Sequence, residues 1–160
     1  MTHAVEAANF GAVIDGLARG DAVDAVIAPL ARKTAPGPLS AHRRQIETVF
    51  AAASVEAILE RLDRDGSDFA RATAQVIRSR SPTSLKVVFR QLRAGAKLDL
   101  KQCLAMELRL AVRLIAAPDF REGVRAALID KDRAPRWQPS SLAGVGDLDP
   151  LFAPLQDELF

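Results

Sequence analysis

The chain has 160 residues, the length of one domain or one large sub-domain with a core of its own. Its 22 Lys and Arg interleave with 20 Asp and Glu for a formal net charge of +2, which leaves no basic stripe for nucleic acid. No apolar run reaches the ~20 residues that span a bilayer, and the single cysteine excludes a disulfide framework or a multi-cysteine metal site within one chain.

Helical spacing recurs along the sequence and no alternation exceeds a few residues. The expected class is therefore all-α: a bundle of roughly seven or eight amphipathic helices with an extended C-terminal tail and no strand. The opening MTHAVEAANF carries Glu6 and Asn9 and no basic stretch, so neither a signal nor a transit peptide is expected. Abundant Ala and Arg with no Tyr match a GC-rich bacterial genome, and a bacterial cytoplasmic location is expected.

In chain order, Phe10, Val13, Ile14 and Leu17 mark a first helix that Gly20 ends. Asp21 can cap a second helix bearing Val23, Val26, Ile27 and Leu30, which Pro29 should kink or end. The stretch Thr34 to Ser40 is a loop, because Pro36, Gly37 and Pro38 prevent regular structure. Ser40 opens a helix with Ile46, Val49 and Phe50 buried.

Ser54 caps the next helix, with Val55, Ile58, Leu59 and Leu62 inward and Gly66 as a left-handed end. Ser67 caps a helix through Phe69, Ala70, Val76 and Ile77. Ser81–Pro82 is a cap and first-turn pair before Leu85, Val88, Phe89 and Leu92. Asp99 with Gln102 forms a capping-box pattern. Beyond it, Leu100, Leu104, Leu108, Ala111 and Ile115 make one apolar row and Cys103, Leu110 and Leu114 a second. A helix with two such rows is expected to lie between layers or against a partner.

Asp119 with Glu122 repeats the capping-box pattern and starts a short helix to about Asp130. The remaining Pro- and Gly-rich stretch is expected to dock by Trp137, Leu151 and Phe152.

Few residues suggest chemistry. His3 and His42 sit in no catalytic motif and read as solvated or capping residues. Cys103 lies on an apolar row and reads as a buried structural thiol. No metal-ligand spacing and no phosphate-binding glycine loop occurs. Glu107, between apolar neighbours, is either a carboxylate raised by burial or one partner of an ion pair with Arg78, Arg90 or Arg113; the pair is favoured. Lys131, Arg133 and Arg136 beside Trp137 form either a solvated basic turn or a site for a phosphorylated ligand.

The run DFREGVRAALIDKDRAPRW, Asp119 to Trp137, resembles the C-terminal signature of the crotonase (enoyl-CoA hydratase/isomerase) superfamily. EGVRA, LIDKD and SPTSLKVVFRQL resemble its 3-hydroxyisobutyryl-CoA hydrolase branch most. The similarity is strong from about Val55 to Trp137 and extends faintly to the opening THAV.

The resemblance implies a family-specific helical segment over 1–66, the superfamily's C-terminal helices over 67–137 and a docking tail over 138–160. It implies a CoA-thioester hydrolase of valine breakdown whose ββα catalytic core is not found in this sequence, so no catalytic residue carries over; an enoyl-CoA hydratase/isomerase parent and a stand-alone helical oligomerisation module are the alternatives. Lys131 would approach the adenine or ribose-phosphate end of CoA, with Arg133 and Arg136 beside it. Coenzyme A enters as part of the substrate, with no cofactor or metal. The implied partners are the acyl-CoA substrate, the catalytic core and further copies of the chain, with no nucleic acid and no membrane.

Overall fold

The computed structural model of the chain describes residues 3–156. They form two compact units, up to Arg43 and from Arg44 onward.

The first unit is built on helices α1 (Phe10–Ala18) and α2 (Val23–Ile27). Their contact is at Gly16, which is buried. A Cβ there would stand 2.8 Å from a Val26 methyl, so only glycine permits this approach. Asp21 does not cap α2; it pairs with Arg19 at 3.1 Å, and the cap position falls to Ala22. Pro29 ends α2 as expected, because the chain tightens into a 3-10 turn over Ala28–Leu30.

The all-strand-free expectation fails in one detail. β1 (Ala4–Val5) pairs antiparallel with β2 (Ala31–Arg32), and the salt bridge from Arg32 to Glu6 (2.7 Å) holds the pair. Two-residue strands carry no alternation for a sequence pattern to reveal. The expected inner row of α1 is also turned outward, with Phe10 55% and Ile14 66% exposed.

The second unit begins after a 3-10 turn at Pro38–His42, which takes up the end of the expected loop. Helices α3 (Arg43–Phe50), α4 (Val55–Asp65) and α5 (Asp68–Arg78) bury Val49, Ile58, Leu62, Ala70 and Ala74 together. Ser54 accepts from the Ala57 N–H (3.1 Å) and Ser67 from the Ala70 N–H (3.2 Å), so each serine satisfies an orphan donor. Gly66 sits at φ +64°, and its N–H closes α4 onto the Leu62 carbonyl at 3.1 Å. Gln45 bridges to Asp65 and Ser67, fixing the α4–α5 corner from α3.

Helices α6 (Pro82–Gly95) and α7 (Leu100–Ala116) form a second core at Val87, Met106 and Leu110. The Asp99–Gln102 capping box is present with both bonds, 2.8 and 3.0 Å. Arg93 donates to the Ala52 carbonyl (2.6 Å) and Lys86 pairs with Glu56 (2.8 Å), joining α6 to the first core. On α7 only one of the two apolar rows packs: Leu110 is buried, while Leu100 is 75% and Ile115 55% exposed.

Helix α8 (Pro118–Val124) follows and widens into a π-helical turn over Arg125–Ile129. The tail is less extended than expected. It contains a 3-10 turn at Leu142–Gly144 and helix α9 (Asp149–Phe152). Leu148, Leu151 and Phe152 close over the Val87–Met106–Leu110 core. Arg113 donates to the Leu151, Ala153 and Pro154 carbonyls, and Arg90 lies 4.2 Å over the Phe152 ring while pairing with Asp149. Thr2 of the THAV opening, and 157–160 of the expected tail, lie outside the described residues.

Candidate functional site

The residues of the Asp119–Trp137 signature meet at one corner of the second unit. Asp119 and Glu122 were expected to cap α8, yet neither does. Ala117 holds the cap position, because Pro118 starts the helix. The Asp119 carboxylate is buried and reaches across the fold instead. The Ser81 hydroxyl donates to one oxygen at 2.5 Å and the Gln138 N–H to the other at 2.8 Å. The same Ser81 oxygen accepts from the Ser84 N–H (3.1 Å), so one serine caps α6 and ties it to α8. Trp137 completes the corner: its indole N–H donates to the Ser79 carbonyl (2.9 Å) and its ring lies over Gly123, where a Cβ would touch it at 3.4 Å.

These elements line a largely apolar groove of about 870 Å³, walled by Leu85, Val88, Leu114, Phe120 and Leu128, with Ser81 and Asp119 at its polar edge. Phe120 and Leu128 remain 48% and 68% exposed, so the groove opens to one side.

The other half of the corner is electrostatic. Arg125 forks onto Glu122 with two bonds of 2.9 and 2.8 Å. It also donates to Asp130 (2.6 Å), Asp132 (2.7 Å) and the Ala134 carbonyl (3.3 Å). Such a planar fork suits several carboxylates at once, and these partners push the Arg125 pKa above its already high value. Glu122 in turn accepts from the Arg136 N–H at 2.6 Å.

Around this hub run the three cations expected to meet a ligand. Lys131, Arg133 and Arg136 are all exposed and lie on one turn. Lys131 and Arg133 stand in the left-handed region, at φ 56° and 55°, which residues with a Cβ adopt only where the surroundings impose it. Their side chains form no hydrogen bond or ion pair among the described residues, whereas the Arg136 charge lies close enough to Glu122 to favour its ionised form.

A family model described as enoyl-CoA hydratase/isomerase matches residues 1–149. The chain belongs to that family. It is 45% identical over 124 residues to the mitochondrial 3-hydroxyisobutyryl-CoA hydrolase of Danio rerio, covering 76% of this chain and 32% of the relative. With the Homo sapiens protein of the same name it shares 46% over 111 residues, covering 69% and 29%. Among solved structures, a carnitinyl-CoA dehydratase from Mycobacterium thermoresistibile superposes at a TM-score of 0.82 with 30% identity, covering 99% of this chain and 46% of that one. An enoyl-CoA hydratase from Rhodobacter sphaeroides 2.4.1 gives a TM-score of 0.75 with 31% identity, covering 94% and 44%. The chain thus spans about a third of the length of these curated relatives and just under half of these solved structures.

These relatives correct one expectation. The curated hydrolases are named as mitochondrial vertebrate proteins, against a bacterial cytoplasmic location. Alanine and arginine richness reflects base composition and a single thiol reflects redox tolerance; neither is an address.

The other chemical candidates gather no site. Glu107 is exposed and not buried, and the arginines expected to pair with it are engaged elsewhere: Arg78 with Asp63, Arg90 with Asp149, Arg113 with tail carbonyls. Cys103 is half-buried rather than buried, its thiol 3.7 Å from the Gly95 carbonyl. His3 and His42 belong to the first unit. Among the described residues no group of three or more His, Cys, Asp or Glu could hold a metal ion, and no helix is long and apolar enough to cross a membrane.

The hub also gives this chain a pH signature. Hydrogen bonds from Arg125 and then from the Arg136 N–H hold the Glu122 carboxyl down at about 2. Asp132 is lowered too, by the Ala134 N–H first and Arg125 second. Both folded values lie below the unfolded ones, so their stabilisation is complete above the ordinary carboxylate range and is lost as pH falls through the folded values. Thermal melts should therefore drop steeply between pH of about 4.5 and about 2. Glu122→Gln should melt lower at neutral pH but flatten that slope; an unchanged slope would refute the assignment.

Proposed function

We propose that this chain is the C-terminal helical region of a 3-hydroxyisobutyryl-CoA hydrolase-like acyl-CoA thioester hydrolase of valine breakdown. In this reading it covers the acyl-CoA pocket, supports subunit packing and is inactive alone. The observation that carries it is the 45% identity over 124 residues to a protein named for that hydrolysis. Catalysis of thioester hydrolysis requires donors preorganised on the developing oxyanion and a group that activates water. In this corner the two carboxylates are engaged structurally, Asp119 by Ser81 and Gln138, and Glu122 by Arg125 and the Arg136 N–H. What it does offer is an open apolar groove suited to covering an acyl chain or packing on a neighbouring element, and a rigid turn of cations suited to CoA phosphates.

The test has two arms, read by CoA release from 3-hydroxyisobutyryl-CoA with a thiol-reactive dye. The chain alone should release none above background. A chimera in which it replaces the matching stretch of the Danio rerio hydrolase should retain release. Turnover by the chain alone, or a folded but inactive chimera, overturns the proposal. A second reading, a hydratase or isomerase parent, has as its support the 30–31% identity to a dehydratase and a hydratase of known structure.

A further inference from the structure

We infer that Arg125 is a positioning residue for the phosphate end of the ligand: by occupying Glu122, Asp130 and Asp132 it keeps the Lys131 and Arg133 charges available on a fixed turn. The inference rests on the CoA reading above and adds to it a residue that need not touch the ligand.

The sequence places an aspartate on each side of Lys131, and Asp132 also adjoins Arg133. Alternating signs at this spacing ordinarily pair among themselves or with water, which would leave little net attraction for an anion. Here both aspartates turn inward to the guanidinium of Arg125, at 2.6 and 2.7 Å. The cations, by contrast, make no ion pair within the described residues. One inward arginine thereby sorts the turn by charge, with acids facing the hub and Lys131 and Arg133 left for a partner.

The backbone is built to hold that sorting. The π-helical turn begins at Arg125, and such turns recur at functional sites. The Asp130 N–H donates to the Arg125 carbonyl (2.9 Å), the Arg133 N–H to the Ala126 carbonyl (3.0 Å), and the Arg125 side chain to the Ala134 carbonyl (3.3 Å). These ties bracket the two left-handed residues, whose conformation otherwise would relax. A phosphate or diphosphate oxygen is the matching ligand chemistry, since it accepts charge-assisted bonds from ammonium and guanidinium alike.

The test is calorimetric titration of the purified chain with CoA, with pantetheine as the phosphate-free control. Wild type should bind CoA more tightly than pantetheine. Arg125→Met should weaken CoA binding roughly fivefold or more, the effect of two new surface ion pairs, and leave pantetheine unchanged. The deciding variant is Arg125→Met with Asp130→Asn and Asp132→Asn. It should recover CoA affinity while its melting temperature stays as low as that of Arg125→Met, a split that a merely structural role would not produce. Arg125→Lys keeps the charge without the fork and should rank between wild type and Arg125→Met, which keeps the test valid if the methionine variant does not fold. CoA binding that is indifferent to Arg125, or that the asparagines do not restore, overturns the inference alone. Absence of any CoA preference in wild type overturns the CoA reading of the turn, and the inference with it.

Discussion

Asp119→Ala is expected to destabilise the second unit by about 3 kcal/mol, a fall in melting temperature of roughly 10 °C. The carboxylate is buried and accepts two bonds, from the Ser81 hydroxyl at 2.5 Å and the Gln138 N–H at 2.8 Å. Each bond to a charged acceptor contributes about 1.5–3 kcal/mol, and the two share one acceptor group, so they will not add fully. The loss also leaves the Gln138 N–H without this acceptor. Asn is the informative control. It can still accept from Gln138, but its amide must donate to a Ser81 oxygen already receiving the Ser84 N–H, so it should lose about half as much. The chain has one tryptophan, Trp137, adjacent to Gln138, which makes the release visible. Its emission should shift to longer wavelength in Asp119→Ala below the melting transition. A melting temperature within about 2 °C of wild type would show that the Ser81–Asp119 link is not structural.

Leu62→Ala should cost about 3–4 kcal/mol, by a different mechanism. Leu62 is fully buried among Val49, Ile58, Ala70 and Ala74, where α3, α4 and α5 meet. Three of the surrounding positions are alanines, Ala52, Ala70 and Ala74, whose side chains cannot reach into the space vacated. The cavity therefore persists and its cost adds to the lost transfer energy. Leu62→Met conserves volume and should lose less than about 1.5 kcal/mol. Urea unfolding reads both values. Trp137 emission in the native state of Leu62→Ala should stay as in wild type, since the indole packs on Gly123 and bonds Ser79 rather than this cluster. Comparable costs for Ala and Met would mean that the cluster collapses around the deletion.

Much of the local architecture was legible in the sequence because its causes are local. Ser54, Ser67 and Ser81 cap the helices that follow them, Asp99 and Gln102 form their box, and Gly66 takes the left-handed position that ends α4. Each of these rests on a contact within a few residues, a side chain bonding a nearby backbone group or, at Gly66, a backbone N–H closing on the Leu62 carbonyl, which spacing alone reveals. The family was legible because the Asp119–Trp137 run resembles the superfamily's C-terminal signature, and the family model covers residues 1–149.

The errors have a shared origin. Asp119 and Glu122 have the spacing of a capping box and do not make one, because Pro118 already starts α8 and their oxygens serve Ser81 and Arg125 from elsewhere in the fold. Leu100, Leu104 and Ile115 form an apolar row that nothing within the described residues covers, since periodicity says which side chains share a face and not whether a neighbour arrives. Arg125 was one basic residue among many in the sequence; the only available sign was three acids at positions 122, 130 and 132, too far apart to suggest a common partner.

By itself, then, the sequence determined a mostly helical chain of the enoyl-CoA hydratase/isomerase family, with most of its helix starts and the basic turn at Lys131–Arg136. Those features follow from contacts a few residues long and from the resemblance of the Asp119–Trp137 run to a family signature. The tertiary structure alone decided which acids serve the Arg125 hub, which serine and aspartate lock α6 to α8, and which cations are unengaged among the described residues. Hydrogen-bond partners 38 residues apart are chosen by where packing brings helices together, and no local pattern records that choice.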